Sequence, residues 1–167
     1  MNFYYLKILT FALLFFSLHA NGSNLSEDAK DRGINETCNS YLSQIEKSYN
    51  LNGLNITFAH PQNPSSFPSL HISSQIYNNG SSSFSASLSP DGEYCYLSTI
   101  LVTAINNQSC SEIAQLKVEN EDLELSSYAD GGFIILTPED KSYQTILTSS
   151  GANACTITEA RMIWPGR

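Results

Sequence analysis

Two adjacent segments in the middle of the chain constrain its fold more than anything else in the sequence. Residues Ser83 to Ser89 read SFSASLS and alternate without exception, with Phe84, Ala86 and Leu88 on one side and serines on the other. A strand repeats every two residues, so this pattern fits an extended segment with one face buried and the other wet. The turn sequence Ser89-Pro90-Asp91-Gly92 follows, and then Tyr94 to Ile105, YCYLSTILVTAI, rich in β-branched and aromatic residues. The first segment reads as a half-buried antiparallel strand. The second is apolar on both sides, so we expect it to be the central strand, covered on both faces.

The rest of the chain supplies more of the same. Segments 54–59 and 70–77 read as strands on either side of the loop HPQNPSSFP. Segments 123–128, 133–137, 142–148 and 155–164 read as four successive strands, and the connectors between them carry turn chemistry. Residues 110–118 fit a short helix or a strand, and their period does not choose between the two. Only one stretch has a clear helical period. Ile34, Cys38, Tyr41, Leu42, Ile45 and Tyr49 form a single apolar stripe, with a start signal at Asn35 and a stop between Asn50 and Gly53. The expected fold class is α+β: one N-terminal amphipathic helix packed on a mainly antiparallel β-sheet or flattened barrel, stapled by disulfides. No internal repeat is visible.

The N-terminus reads MNFYYLKILTFALLFFSLHA, with Lys7 ahead of a mainly apolar, uncharged run from Ile8 to Leu18 and the small residue Ala20 near its end. The run is well short of the ~20 residues a membrane-spanning helix needs and matches a secretory signal peptide. We therefore expect residues 1–20 to be removed, residues 21–33 to be a polar, solvated lead-in, and residues 34–167 to form a single β-rich domain. The implied location is outside the cytoplasm: periplasmic in a bacterium, otherwise extracellular. All four cysteines, Cys38, Cys95, Cys110 and Cys155, lie beyond the leader, where an oxidising compartment pairs them. Four cysteines allow three pairings; the expected one is Cys38 with Cys155 and Cys95 with Cys110. The six Asn-x-Ser/Thr triplets, at Asn21, Asn24, Asn35, Asn55, Asn79 and Asn107, we read as a product of composition.

Charge excludes some partners. The chain carries 8 basic and 16 acidic side chains, a formal charge of −8 that becomes −9 when Lys7 leaves with the leader. Without a basic cluster it has nothing with which to release counterions from nucleic acid or to grip an anionic membrane. We expect no nucleic-acid partner, no stable membrane insertion after cleavage, and a protein or small-molecule target instead.

Catalytic signals are scarce. Beyond the leader the histidines are His60 and His71, and neither sits in an H-x-H or H-E-x-x-H arrangement, so no metal or other cofactor is expected. No G-x-S-x-G elbow, no S-x-x-K set and no phosphate-binding glycine loop occurs. The acidic run holding Glu121, Asp122 and Glu124 is the one carboxylate cluster, and its spacing suits a recognition patch for a basic partner better than a catalytic pair. The other candidate contact is Phe67, an aromatic among the prolines of the 60–68 loop, where restricted backbone freedom lowers the ordering cost of binding. The only tryptophan, Trp164, is expected to plug the core at the end of the last strand. The expectation is a non-enzymatic exported binding protein that neutralises a target: an inhibitor, a toxin-immunity protein or an antibiotic self-protection protein. The alternatives are a small glycan-acting hydrolase using paired carboxylates and a structural or adhesive surface module.

Overall fold

A computed structural model describes residues 24–121, 123–128 and 132–163. The segment expected to be a leader, residues 1–20, and Trp164 lie outside them. The long helix α2 (Glu36–Tyr49) forms where the apolar stripe predicts it. The Asn35 side chain accepts hydrogen bonds from the backbone N–H groups of Thr37 and Cys38, satisfying two of the free donors of the first turn. Asn50 ends the helix in the left-handed conformation, at φ 50°. The asparagine of the third triplet is thus a helix cap.

Of two further helices, one was not expected and the other is one of two readings left open by the sequence. Helix α1 (Leu25–Asp31) lies in the segment read as a solvated lead-in. It buries Leu25 and Ala29 completely, one helical turn apart, against α2. The buried carboxylate of Glu46 on α2 accepts hydrogen bonds from the backbone N–H groups of Leu25 and Ser26 and from the Ser26 hydroxyl, so a neighbouring helix caps this one. Helix α3 (Cys110–Glu121) resolves the ambiguous stretch. Ser109 and Glu112 form a reciprocal capping box at its start: the Glu112 N–H donates to Ser109 Oγ and the Ser109 N–H to Glu112 Oε2.

The strands are β1 (Leu54–Phe58), β2 (Ser69–Tyr77), β3 (Gly80–Asp91), β4 (Tyr94–Asn106), β5 (Leu123–Tyr128), β6 (Phe133–Pro138), β7 (Tyr143–Gly151) and β8 (Ala154–Ile163). They form one antiparallel sheet in the order β1-β2-β3-β4-β8-β7-β6-β5. The sheet is open, with β1 and β5 as its edges, rather than a barrel. The last four strands are the expected meander. Between β3 and β4 the pairing continues to Asp91–Tyr94, so the turn is shorter than expected. Gly92, at φ 60°, takes the first of its two positions, as a type II′ hairpin requires.

The topology repeats although the sequence does not. Each half is a helix followed by a four-stranded meander, and the halves join along β4 and β8. Each helix carries a cysteine in its first turn, bonded to the second residue of the fourth strand of its own half: Cys38–Cys95 and Cys110–Cys155. This overturns the expected pairing. Cys155 lies beside Ile105, ten residues along β4 from Cys95, a distance of about 33 Å at the rise of an extended chain. Cys38 and Cys110 therefore sit at opposite ends of β4, and each reaches only the cysteine at its own end. The bridges span 57 and 45 residues. The chain-entropy account assigns each about 4 kcal/mol of stabilisation.

The core is divided likewise. Leu42 of α2 joins Phe84, Leu88 and Leu97 of the sheet in one cluster, while Ile113 of α3 joins Leu136, Leu147 and Ile157 in the other. All three helices lie on one face of the sheet. Among the described residues the central strand β4 is therefore covered on one side, not on the two expected: Cys95, Leu97 and Thr99 are buried, whereas Tyr94, Tyr96 and Ile100 are exposed.

Candidate binding surface

The strand register determines which side chains share the uncovered face. Position 100 on β4 is opposite Ser85 on β3 and Ala160 on β8, and the same parity carries outward to Ile72, Ile56, Ile146 and Ile135. Along β3 this face presents Ser81, Ser83, Ser85, Ser87 and Ser89, the wet side predicted from the alternation. To one side lie the exposed apolar residues of the β1 edge, Leu54, Ile56 and Phe58, with Leu70 and Ile76 of β2, the last of these 91% exposed. To the other lie Tyr94, Tyr96, Ile100, Met162 and, further out, Phe133. Among the described strand positions on this face the only ionisable carboxylates are Asp91 and Glu124, at its margins, and no Lys or Arg occurs.

Size matters as much as composition. Eight strands span about 34 Å across, and nine residues of strand run about 30 Å, giving on the order of 1,000 Å². Interfaces of standard size take about 800 Å² from each partner. Tyrosines and serines on a stiff frame combine amphipathic contact area with adaptable hydrogen bonding, at little cost in ordering.

The sites expected from sequence are scattered by the fold. Phe67 is exposed in the β1–β2 loop, its ring stacked on His60 at 4.5 Å. His60 Nδ1 accepts hydrogen bonds from the backbone N–H groups of Gln62 and Asn63, which shapes the loop. The loop leaves the sheet from Phe58 and returns at Ser69, at the end of the uncovered face where Phe58 pairs with Leu70. Glu121 lies at the end of α3, on the helical side of the sheet, paired with Lys117 at 3.0 Å. Glu124 is on the opposite side, on β5. Asp122 lies outside the described residues. The acidic run is therefore split between two faces. On the helical side Glu121 does meet Glu139 and Asp140, around an open depression of about 540 Å³. Asp140 accepts a hydrogen bond from the Ser142 backbone N–H, which holds its carboxyl below the ordinary range, the opposite of what a general acid requires.

Two polar clusters could not be read from the sequence. His71 is fully buried, with Nε2 2.8 Å from Ser69 Oγ and Nδ1 3.1 Å from Thr57 Oγ1. Burial lowers its pKa to about 4, with a smaller opposing effect from Asp28, so the ring is neutral at pH 7. A serine hydroxyl on an imidazole has the geometry of an activated nucleophile. Here both groups are sealed beneath α1, and the pair satisfies buried polar atoms instead. The second cluster centres on Arg161 of β8. Its guanidinium lies 4.4 Å from the centre of the Tyr143 ring and 6.0 Å from that of Tyr49, and Nη2 donates to Glu159 at 2.9 Å. Tyr49 belongs to the first half and Tyr143 to the second, so this cation bridges the seam.

No three metal-binding side chains gather among the described residues. No described helix is long and apolar enough to cross a membrane. The two disulfides suit an oxidising, exported environment. No family model matches the chain, and no curated protein or solved structure matches it.

Proposed function

We propose that the chain is an exported, non-enzymatic binding protein that neutralises a target protein by docking it on the uncovered face of the sheet. One observation carries this reading: a continuous face of about 1,000 Å² that combines exposed aliphatic and aromatic side chains with a serine ladder and holds charge only at its margins. A soluble chain with a formal charge of −8 leaves this face free of cations. Such breadth suits a protein surface better than a small molecule, whose sites are concave. The exposed Phe67 loop extends the same end of the face and supplies an additional contact.

The test is a titration against the target recovered by affinity capture from the native envelope or medium. Inhibition of that target should saturate at a fixed molar ratio. Ile100→Asp and Tyr96→Ala should each weaken it by about 2 kcal/mol, the scale of a central anchor. Glu121→Gln, Glu124→Gln and His60→Gln should change it by less than about 1 kcal/mol. Turnover of many target molecules per protein, lost on a single carboxylate change with a rate effect of about 10² or more, overturns the reading in favour of a hydrolase.

A further inference from the structure

The repeat leaves one position filled in the first half and open in the second. Equivalent residues can be paired through the disulfides and the strand register. Leu42 and Ala114 each follow their helix cysteine by four residues, and Glu46 and Val118 by eight. Across the sheet, Thr57 of β1 leads through His71 and Ala86 to Thr99, four residues after Cys95. Leu125 of β5 leads through Leu136 and Thr145 to Glu159, four residues after Cys155. Thr57 and Leu125 thus occupy the same place in the two halves.

Their surroundings differ. Thr57 is 3% exposed because α1 lies against β1 and β2, whereas Leu125 is 57% exposed. At its position a groove of about 360 Å³ runs between α3 and the edge of the sheet, with Ala114, Val118, Leu125 and Ile134 as its apolar lining and Gln115 and Glu119 on its rim. The connection explains why no helix of this half covers it. Only residues 107–109 separate β4 from α3, too few for a second helix.

We infer that this groove docks a short amphipathic helix of a partner protein, basic on its outer side, in the position that α1 occupies in the first half. The chain itself shows the shape that fits: a helix inserting two apolar residues one turn apart, as Leu25 and Ala29 do. Charge selects the partner. Helix α3 carries three carboxylates, Glu112, Glu119 and Glu121, against one lysine, a net −2, and that lysine is already paired with Glu121. The same charge opposes a second copy of this chain, which would bring two acidic α3 helices together. Glu46, which caps α1 in the first half, is replaced by Val118, so the second seat is the more apolar. This inference concerns the helical side of the sheet and stands apart from the uncovered face.

The probe is a stapled synthetic helix with the sequence 24–34 of this chain carrying Glu27→Lys, Asp28→Lys and Asp31→Lys. Added to isotope-labelled full-length mature protein, it should shift the amide resonances of α3, β5 and β6. Its affinity should fall about tenfold with Val118→Asp or Leu125→Lys, and several-fold between low and high salt. Ile76→Lys, on the other face, should leave it unchanged. The unsubstituted acidic helix should bind about tenfold more weakly than the basic one. Both groove positions tolerate a polar side chain sterically, and unchanged far-ultraviolet circular dichroism verifies folding. Absence of binding, shifts centred on the uncovered face, equal binding of the acidic helix, or a protein dimer abolished by Leu125→Lys would each overturn the inference.

Discussion

The two halves follow one plan but fill their interiors differently. In the first, two helices cover the sheet, and the floor beneath α1 is polar: Thr57, Ser69, His71 and Ser73 are buried there. In the second, one helix covers the sheet, and the matching floor is more apolar, with Leu136 in place of His71 and Ile134 in place of Ser69, although Thr145 is buried beside Leu136. Beneath α1 the His71 imidazole meets the Ser69 and Thr57 hydroxyls, which offset the cost of burying these polar groups. An apolar floor can be closed largely by α3, leaving a rim of exposed Leu125. The shared topology therefore specifies where helices and disulfides go. The length of chain ahead of each principal helix decides how complete the cover is.

The largest effect that can separate the halves comes from their staples. Cys38→Ser and Cys110→Ser should each cost about 4 kcal/mol in denaturant unfolding. Cys38→Ser with Cys95→Ser should cost little more than either alone, because both remove the same bond. Additive losses from Cys38→Ser and Cys155→Ser are expected for the observed pairing. A non-additive result for that pair would show that the bridges run between halves rather than within them.

The next effect sharpens the contrast between the floors. His71 has a folded pKa near 4 against about 6.5 unfolded. As pH falls below 6.5 the unfolded chain takes up this proton first, so stability is full above pH 6.5 and is lost as pH falls toward 4. The loss attributable to His71 approaches roughly 3 kcal/mol at the low end. The only carboxylate acting on this ring from the packed elements is Asp28, whose effect is in the opposite direction. His71→Leu, which copies the second half, should flatten the pH dependence of the denaturation midpoint between pH 6.5 and 4, even if it lowers stability throughout. An unchanged slope would show that the histidine is not the group responsible.

The smallest effect tests the bond between the halves. Arg161→Met keeps the packing length but removes the cation between Tyr49 and Tyr143. It should cost about 1 kcal/mol, the scale of a partly desolvated cation–π contact. Unfolding of the first and second cores, followed by hydrogen exchange at Leu97 and Leu147, should become less coupled. If both cores still open together at the original free energy, the β4–β8 ladder alone holds the seam.

Much of the secondary structure was legible because it rests on short-range periodicity. The alternation in SFSASLS identified β3 and its face, and the stripe from Ile34 to Tyr49 identified α2. Helix α1 escaped because it is seven residues long and offers only Leu25 and Ala29 as apolar signal, while its charged residues imitate a solvated tail. Helix α3 had a readable signal, the capping pair Ser109 and Glu112, but its apolar period alone was indecisive. The double apolarity of β4 was read as burial on both sides, whereas one of those sides is the exposed surface. Of the candidate site, the serine side of β3 and the loop bearing Phe67 were visible in advance; the acidic run was visible as a cluster, and the fold divides it.

By itself, the sequence determined most of the strands, the turn at Ser89 to Gly92, the principal helix with its Asn35 cap, and the presence of four cysteines able to pair. Each of these depends on residues within one or two turns of each other, so local steric and hydrogen-bonding rules decide them. Only the tertiary structure decided which cysteines bond, that the halves repeat, that Arg161 joins them, and that the described helices all cover the same face of the sheet. Those outcomes depend on which ends of β4 lie near which helices and on all helices choosing the same face. They are set by packing between residues that are tens of positions apart, where sequence spacing carries no distance information.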